Sequence, residues 1–103
     1  MAIDQDEIVL EDGEGKGRYV YRADGAEAQM TFSKAGARLV IIDHTEVPDA
    51  FRGRGVGQAL VARGVADARA AGKRIIPLCP FAAAQFRKHP EWADVLQERR
   101  QTT

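Results

Sequence analysis

The sequence predicts an α+β fold: a mainly antiparallel sheet, then a long helix after a glycine-rich loop, then short C-terminal helices. Three observations predict it. Apolar runs separated by hairpin-length turns occupy Gly17 to Ile42, a glycine-rich segment gives way to an apolar stripe at helical spacing, and a short apolar run follows from Lys73.

The strands come first. Arg18 to Arg22, Ala28 to Phe32 and Arg38 to Ile42 are rich in β-branched and aromatic residues, and Ala23-Asp24-Gly25 and Ser33-Lys34-Ala35-Gly36 between them carry turn chemistry. Ile8-Val9-Leu10 is a further candidate strand, whereas the acidic, glycine-rich stretch from Glu11 to Gly15 reads as a loop. The third main strand is nearly continuous in apolar residues, which suits a central strand covered on both faces. It is expected to run on through His44 to Val47 and to stop at Pro48, which has no N–H to give to a ladder.

The helices follow. Val56, Leu60, Val61, Gly64, Val65 and Ala68 form one apolar stripe of a helix that should end near Gly72. Lys73 to Leu78 reads as a short buried strand, and Pro80 suits the first turn of a helix reaching about Lys88. His89-Pro90 breaks that helix, and Glu91 to Arg99 is expected to form a last one.

Length and composition bound the function. A chain of 103 residues fits one compact domain, and 45% hydrophobic with 29% charged residues is an ordinary globular composition. Fifteen basic and fifteen acidic side chains cancel, so no overall field favours nucleic acid or an anionic membrane, and any anion must be recognised locally. One cysteine cannot form an internal disulfide, and no charged segment followed by an apolar one opens the chain. A cytoplasmic protein is expected, with a monomer favoured.

The segment Arg52-Gly53-Arg54-Gly55-Val56-Gly57 carries the functional signal. Lying between a strand and a helix, it gathers unpaired backbone N–H groups and the positive helix end at one spot, which is phosphate-binding geometry. Glycines at 53, 55 and 57 permit positive φ and remove Cβ atoms from the path of a pyrophosphate, and Arg52 and Arg54 add charge. A Walker loop would continue Lys-Ser or Lys-Thr where Gln58-Ala59 stands. A dinucleotide fingerprint would need a glycine at Gln58 and a parallel βαβ unit around it. The glycines would also suit a simple tight turn with solvated arginines, but three alternating glycines flanked by two arginines exceed what a turn needs.

What remains, Arg-x-x-Gly-x-Gly at Arg52, Gly55 and Gly57, resembles the pyrophosphate motif of the GCN5-related N-acetyltransferase (GNAT) superfamily. With His44 to Gly55, Pro77-Leu78-Cys79-Pro80-Phe81 and Phe86, the stretch from Tyr19 to Leu96 is similar to the compact YjdJ-type GNAT-like family. The resemblance implies a truncated GNAT-like fold and acetyl-CoA as cosubstrate. It further implies that Val47 and its neighbours bond the pantetheine arm, and that Arg52, Gly53, Arg54, Gly55, Val56, Gly57 and Gln58 surround the pyrophosphate.

Acetyl transfer to an amine needs a base for the amine and a proton for the departing thiolate, or an enzyme thiol that takes the acetyl group first. Cys79 and His44 are the suggestive pair, expected at the ends of neighbouring strands and facing one splayed edge. Between Leu78 and Pro80, Cys79 also has the context of a buried apolar cysteine; its place in the family's pattern favours the active role. Beside Asp43 and Thr45, His44 also fits a hydrogen-bonded strand residue, and Glu46 is an alternative base. Phe81, Phe86 and Trp92 suit core packing, although Phe86 could line the coenzyme channel, and Arg87-Lys88 suits a solvated pair. Two histidines and one cysteine so far apart give no metal-ligand spacing.

The leading function is therefore an N-acetyltransferase that uses acetyl-CoA on a small-molecule or protein amine. A coenzyme A or acyl-CoA binding protein with little catalysis is the alternative, because so short a chain offers few residues for an acceptor pocket. Nucleic-acid binding through Arg52, Arg54 and Arg87-Lys88 conflicts with the zero net charge and the absence of interleaved aromatics.

Overall fold

A computed structural model describes residues 3–97. Five strands form one sheet in chain order: β1 (Ile8–Asp12), β2 (Lys16–Ala23), β3 (Ala26–Lys34), β4 (Leu39–Glu46) and β5 (Arg74–Pro77). The first four are antiparallel neighbours, and β5 joins β4 in parallel after a crossover through helix α1 (Val56–Ala71). Helix α2 (Pro80–Lys88) follows, and the described chain ends past a 3-10 segment, Pro90–Val95. The α+β architecture expected from the sequence is present.

Local chemistry explains the order. Between β2 and β3 the turn residues Asp24 and Gly25 have φ of 53° and 77°, the pair of positive values that a two-residue hairpin needs to match strand twist. Helix α1 ends at Gly72 in the left-handed region, where the Lys73 N–H bonds to Ala68 and the Gly72 N–H to Arg69. Pro80 occupies the first turn of α2, where its missing N–H costs nothing.

Buried side chains of both helices and of the 3-10 segment share one cluster with Tyr19, Tyr21, Ala28, Met30, Phe32, Ile42 and Ile75 of the sheet. The helices thus cover one face of the sheet. The other face carries paired charges: Arg18 bonds Glu11 and Glu27, and Arg22 bonds the same two carboxylates, above a fully buried Val20.

Four expectations need correction. Glu11 and Asp12 lie in β1, because Glu11 stands opposite Arg18 and is neutralised there, at 2.8 Å. The third apolar strand, β4, is interior to the sheet but covered on one face only; Ile42 is its one fully buried residue. Gly57 has no positive φ, as described below. The last helix is a 3-10 turn that stops at Val95; Leu96 then bridges to Ile75, and Gln97 donates to the Ile75 carbonyl at 2.8 Å. The end of that expected helix, Glu98 and Arg99, lies outside the described residues. Among the described residues no helix is long and apolar enough to cross a membrane.

Candidate functional site

The glycine-rich turn sits where β4, after a 3-10 turn at Asp49–Phe51, reverses into α1. Gly53 and Gly55 have φ of 76° and 72°, and a Cβ on either would meet only open space. Gly55 is the helix N-cap; its carbonyl takes the Ala59 N–H at 3.0 Å, while Val56, Gly57 and Gln58 find no backbone acceptor among the described residues. Those N–H groups and the positive helix end face one exposed spot.

The turn's other residues divide. Arg52 is exposed and loosely tied to Asp49 at 3.2 Å. Arg54 is held more firmly, its guanidinium 5.4 Å from the Phe51 ring centre and 3.4 Å from Asp24. Val56 is buried, so it offers only its backbone, and Gln58 is exposed. Gly57 serves packing: a Cβ there would stand 2.8 Å from the Phe81 ring, so its absence lets α2 approach α1.

Beside the turn the sheet opens. The β4–β5 ladder ends at Ile42 and Pro77, and the N–H groups of Leu78 and Cys79 both converge on the Ile42 carbonyl at 3.1 Å. From Asp43 to Glu46, β4 keeps β3 on one edge and loses β5 on the other. Val47 and Leu78, 38% and 46% exposed, flank this gap as its apolar lips.

Cys79 stands at the head of the gap as N-cap of α2. Its Sγ lies 3.4 Å from Thr45 Oγ1. Burial pushes the thiol up; against this, the Thr45 hydroxyl and the backbone N–H groups of Ala82 and Phe81 favour the thiolate, and the net direction is down. Those two N–H groups point at the sulfur without completing a capping bond, so Thr45 is the stronger local partner. Accordingly, the thiolate absorbance of the native chain, read as the difference from Cys79→Ala, should appear at lower pH than in the unfolded chain. Thr45→Val should move it back up; an unmoved midpoint would remove Thr45 from the account. The linked stability exists above the unfolded thiol's pKa and is lost as pH falls through the folded one.

The structure does not bring His44 to Cys79. A β-bulge between Thr31 and Phe32 makes His44 oppose Thr31 and Thr45 oppose buried Met30. Simple alternation from Ile42 would have turned His44 toward the helices; the extra residue, Asp43, flips the parity. His44 therefore lies on the open face, its Nε2 3.4 Å from Glu46 Oε2, and Glu46 also accepts from Gln29 at 2.7 Å. Thr45 went unrecognised in the sequence because a bulge leaves no compositional mark. Phe86 packs edge-on against Trp92 in the core, and Arg87 and Lys88 are exposed.

Over 55 residues the chain is 36% identical to protein NATD1 of Gallus gallus and of Homo sapiens, a match covering 52% of this chain. The chain spans about half the length of these curated relatives, 50% and 49%. A GCN5-like protein of Staphylococcus aureus, solved in solution by NMR, superposes with a TM-score of 0.66 at 30% identity, covering 91% of this chain and 92% of that one. AAC(6')-Iy, in complex with the bisubstrate analog CoA-S-monomethyl-acetylneamine, shares the fold with a TM-score of 0.53 at 17% identity over 88% of this chain and 68% of its own. The family model described as GCN5-related N-acetyl-transferase matches residues 18–95, most of the sheet and both helices, and the chain belongs to that family.

Proposed function

We propose that the chain transfers the acetyl group of acetyl-CoA to an amine, with its acceptor reaching β4 from the open face of the sheet. The observation that carries this reading is the edge of β4 left without β5 from Asp43 to Glu46, where Thr45 meets the Cys79 thiol and beyond which the chain runs into the glycine turn. Gly53 to Gln58 hold the pyrophosphate on backbone N–H groups, with Arg52 and Arg54 adding charge. Val47 and the free edge of β4 take the pantetheine arm as an extra strand would be taken. The complex of AAC(6')-Iy with a coenzyme A conjugate, on the same fold, supports this assignment.

The bulge divides the chemistry between two faces. On the open face His44, beside Glu46, takes the proton of the attacking amine; on the covered side Cys79 gives its proton to the departing sulfur. A carbon–nitrogen bond forms as the carbon–sulfur bond breaks, and both protons are accounted for. A second reading, coenzyme A binding without turnover, is favoured by one observation: among the described residues Cys79 has Thr45 as its only side-chain hydrogen-bond partner, and no base adjoins it.

Calorimetric titration with coenzyme A, acetyl-CoA and ATP tests binding; both readings fail if neither coenzyme A nor its thioester binds. Turnover on an amine panel separates them. Cys79→Ala and His44→Ala are each expected to lower the rate by about 10²-fold or more while coenzyme A affinity stays within about twofold. An acetyl adduct on Cys79, seen by intact mass, would replace direct transfer by a two-step route.

A further inference from the structure

Along the second half of α1, from Gly64 onward and so beginning about 12 Å from the helix start at 1.5 Å per residue, the helix and the sheet leave a cavity of about 360 Å³. We propose that this cavity binds a small molecule with an apolar body and one carboxylate, the carboxylate pairing with Lys73. The size is that of small-molecule pockets, and the floor is made by buried Tyr19, Met30, Phe32 and Ile75. Helix α1 closes on Met30 at Gly64, where an added Cβ would stand 3.0 Å from the methionine, and beyond it presents Ala68 and Ala71 toward this space; side chains so short cannot fill it.

The charges at the mouth decide the sign of the ligand. Asp12 is taken by Lys34 at 2.7 Å, and Lys34 also donates to the Gly13 carbonyl. Asp67 accepts from the Tyr19 hydroxyl at 2.8 Å and pairs with Arg63 at 3.2 Å. Lys73 alone among the charged lining residues makes no ion pair within the described residues. The negative end of α1 opposes an anion here, but it amounts to about half a charge, and the N–H groups of Gly72 and Lys73 occupy two of its last-turn carbonyls, those of Arg69 and Ala68. A full charge on Lys73 outweighs it. An amine would face the reverse: both carboxylates are already partnered.

The test uses 4-phenylbutyrate and its neutral amide, followed by ligand-detected NMR and calorimetry on the full chain. The acid is expected to bind one to one with a Kd below about 1 mM, at least tenfold tighter than the amide. Lys73→Gln should erase that difference. Ala71→Trp, at an exposed position on the rim, should abolish binding of both compounds while leaving thermal unfolding unchanged. Saturating coenzyme A should not displace the acid. No binding, a preference that survives Lys73→Gln, binding that survives Ala71→Trp, or displacement by coenzyme A would each overturn the assignment. None of these readouts depends on acetyl transfer, so the proposal stands or falls apart from it.

Discussion

Phe51→Ala is expected to destabilise the chain by about 3–5 kcal/mol, the cost of emptying a buried phenylalanine site. Phe51 is 1% exposed, its ring meets Tyr21 of β2 edge-on at 5.3 Å, and the Arg54 guanidinium covers it from the glycine turn. Its carbonyl also takes the Arg54 N–H at 3.1 Å. One side chain thus joins the sheet to the segment that would hold the pyrophosphate. For a domain of this size the loss corresponds to a fall in Tm of roughly 12–40 °C, read by far-ultraviolet circular dichroism. Phe51→Leu, which keeps most of the volume, should recover more than half of it. Below its melting temperature the alanine variant should also bind coenzyme A more weakly, because the turn has lost its anchor. A Tm within a few degrees of the parent would mean that the site collapses around the gap and that Phe51 anchors nothing.

The features of this fold that were legible in the sequence are those fixed by local chemistry. Asp24-Gly25 announces its hairpin because both residues adopt positive φ easily, and Gly72 and Pro80 mark helix ends for equally local reasons. The stripe from Val56 to Ala68 is buried as its spacing predicts. Properties that depend on two distant segments were not legible. Glu11 becomes a strand residue only once Arg18 lies opposite, and Gly57 is required by the Phe81 ring more than by any turn. The parity of His44 and Thr45 depends on one bulge in the β3–β4 ladder, and parity decides which side chain meets Cys79. The backbone of the glycine turn, a contiguous motif, was therefore legible, whereas the facing of His44, which depends on register, was misread. The thiol illustrates both: Cys79-Pro80 already had the form of a helix start, which favours a thiolate, but nothing local pointed to Thr45.

Gly55→Val is expected to weaken coenzyme A binding at least tenfold, about 1.4 kcal/mol, and two causes can be told apart. The first is strain: at φ 72° a β-branched residue is forced into the left-handed region, at a cost of roughly 1–2 kcal/mol, and the turn would rearrange to escape it. The second is obstruction: the space beside Gly55 is open, and a side chain would project into it at the start of the helix, where the pyrophosphate is proposed to lie. Gly55→Asn separates them, because asparagine tolerates positive φ while still adding a side chain. If the pyrophosphate lies on these N–H groups, Gly55→Asn should unfold close to the parent and still bind coenzyme A poorly. Restored binding in the asparagine variant would assign the whole effect to backbone strain and move the ligand off the helix start. Gly57→Ala supplies the contrast: its Cβ points at Phe81, so it should lower stability through helix packing without the tenfold loss of affinity in the chains that remain folded.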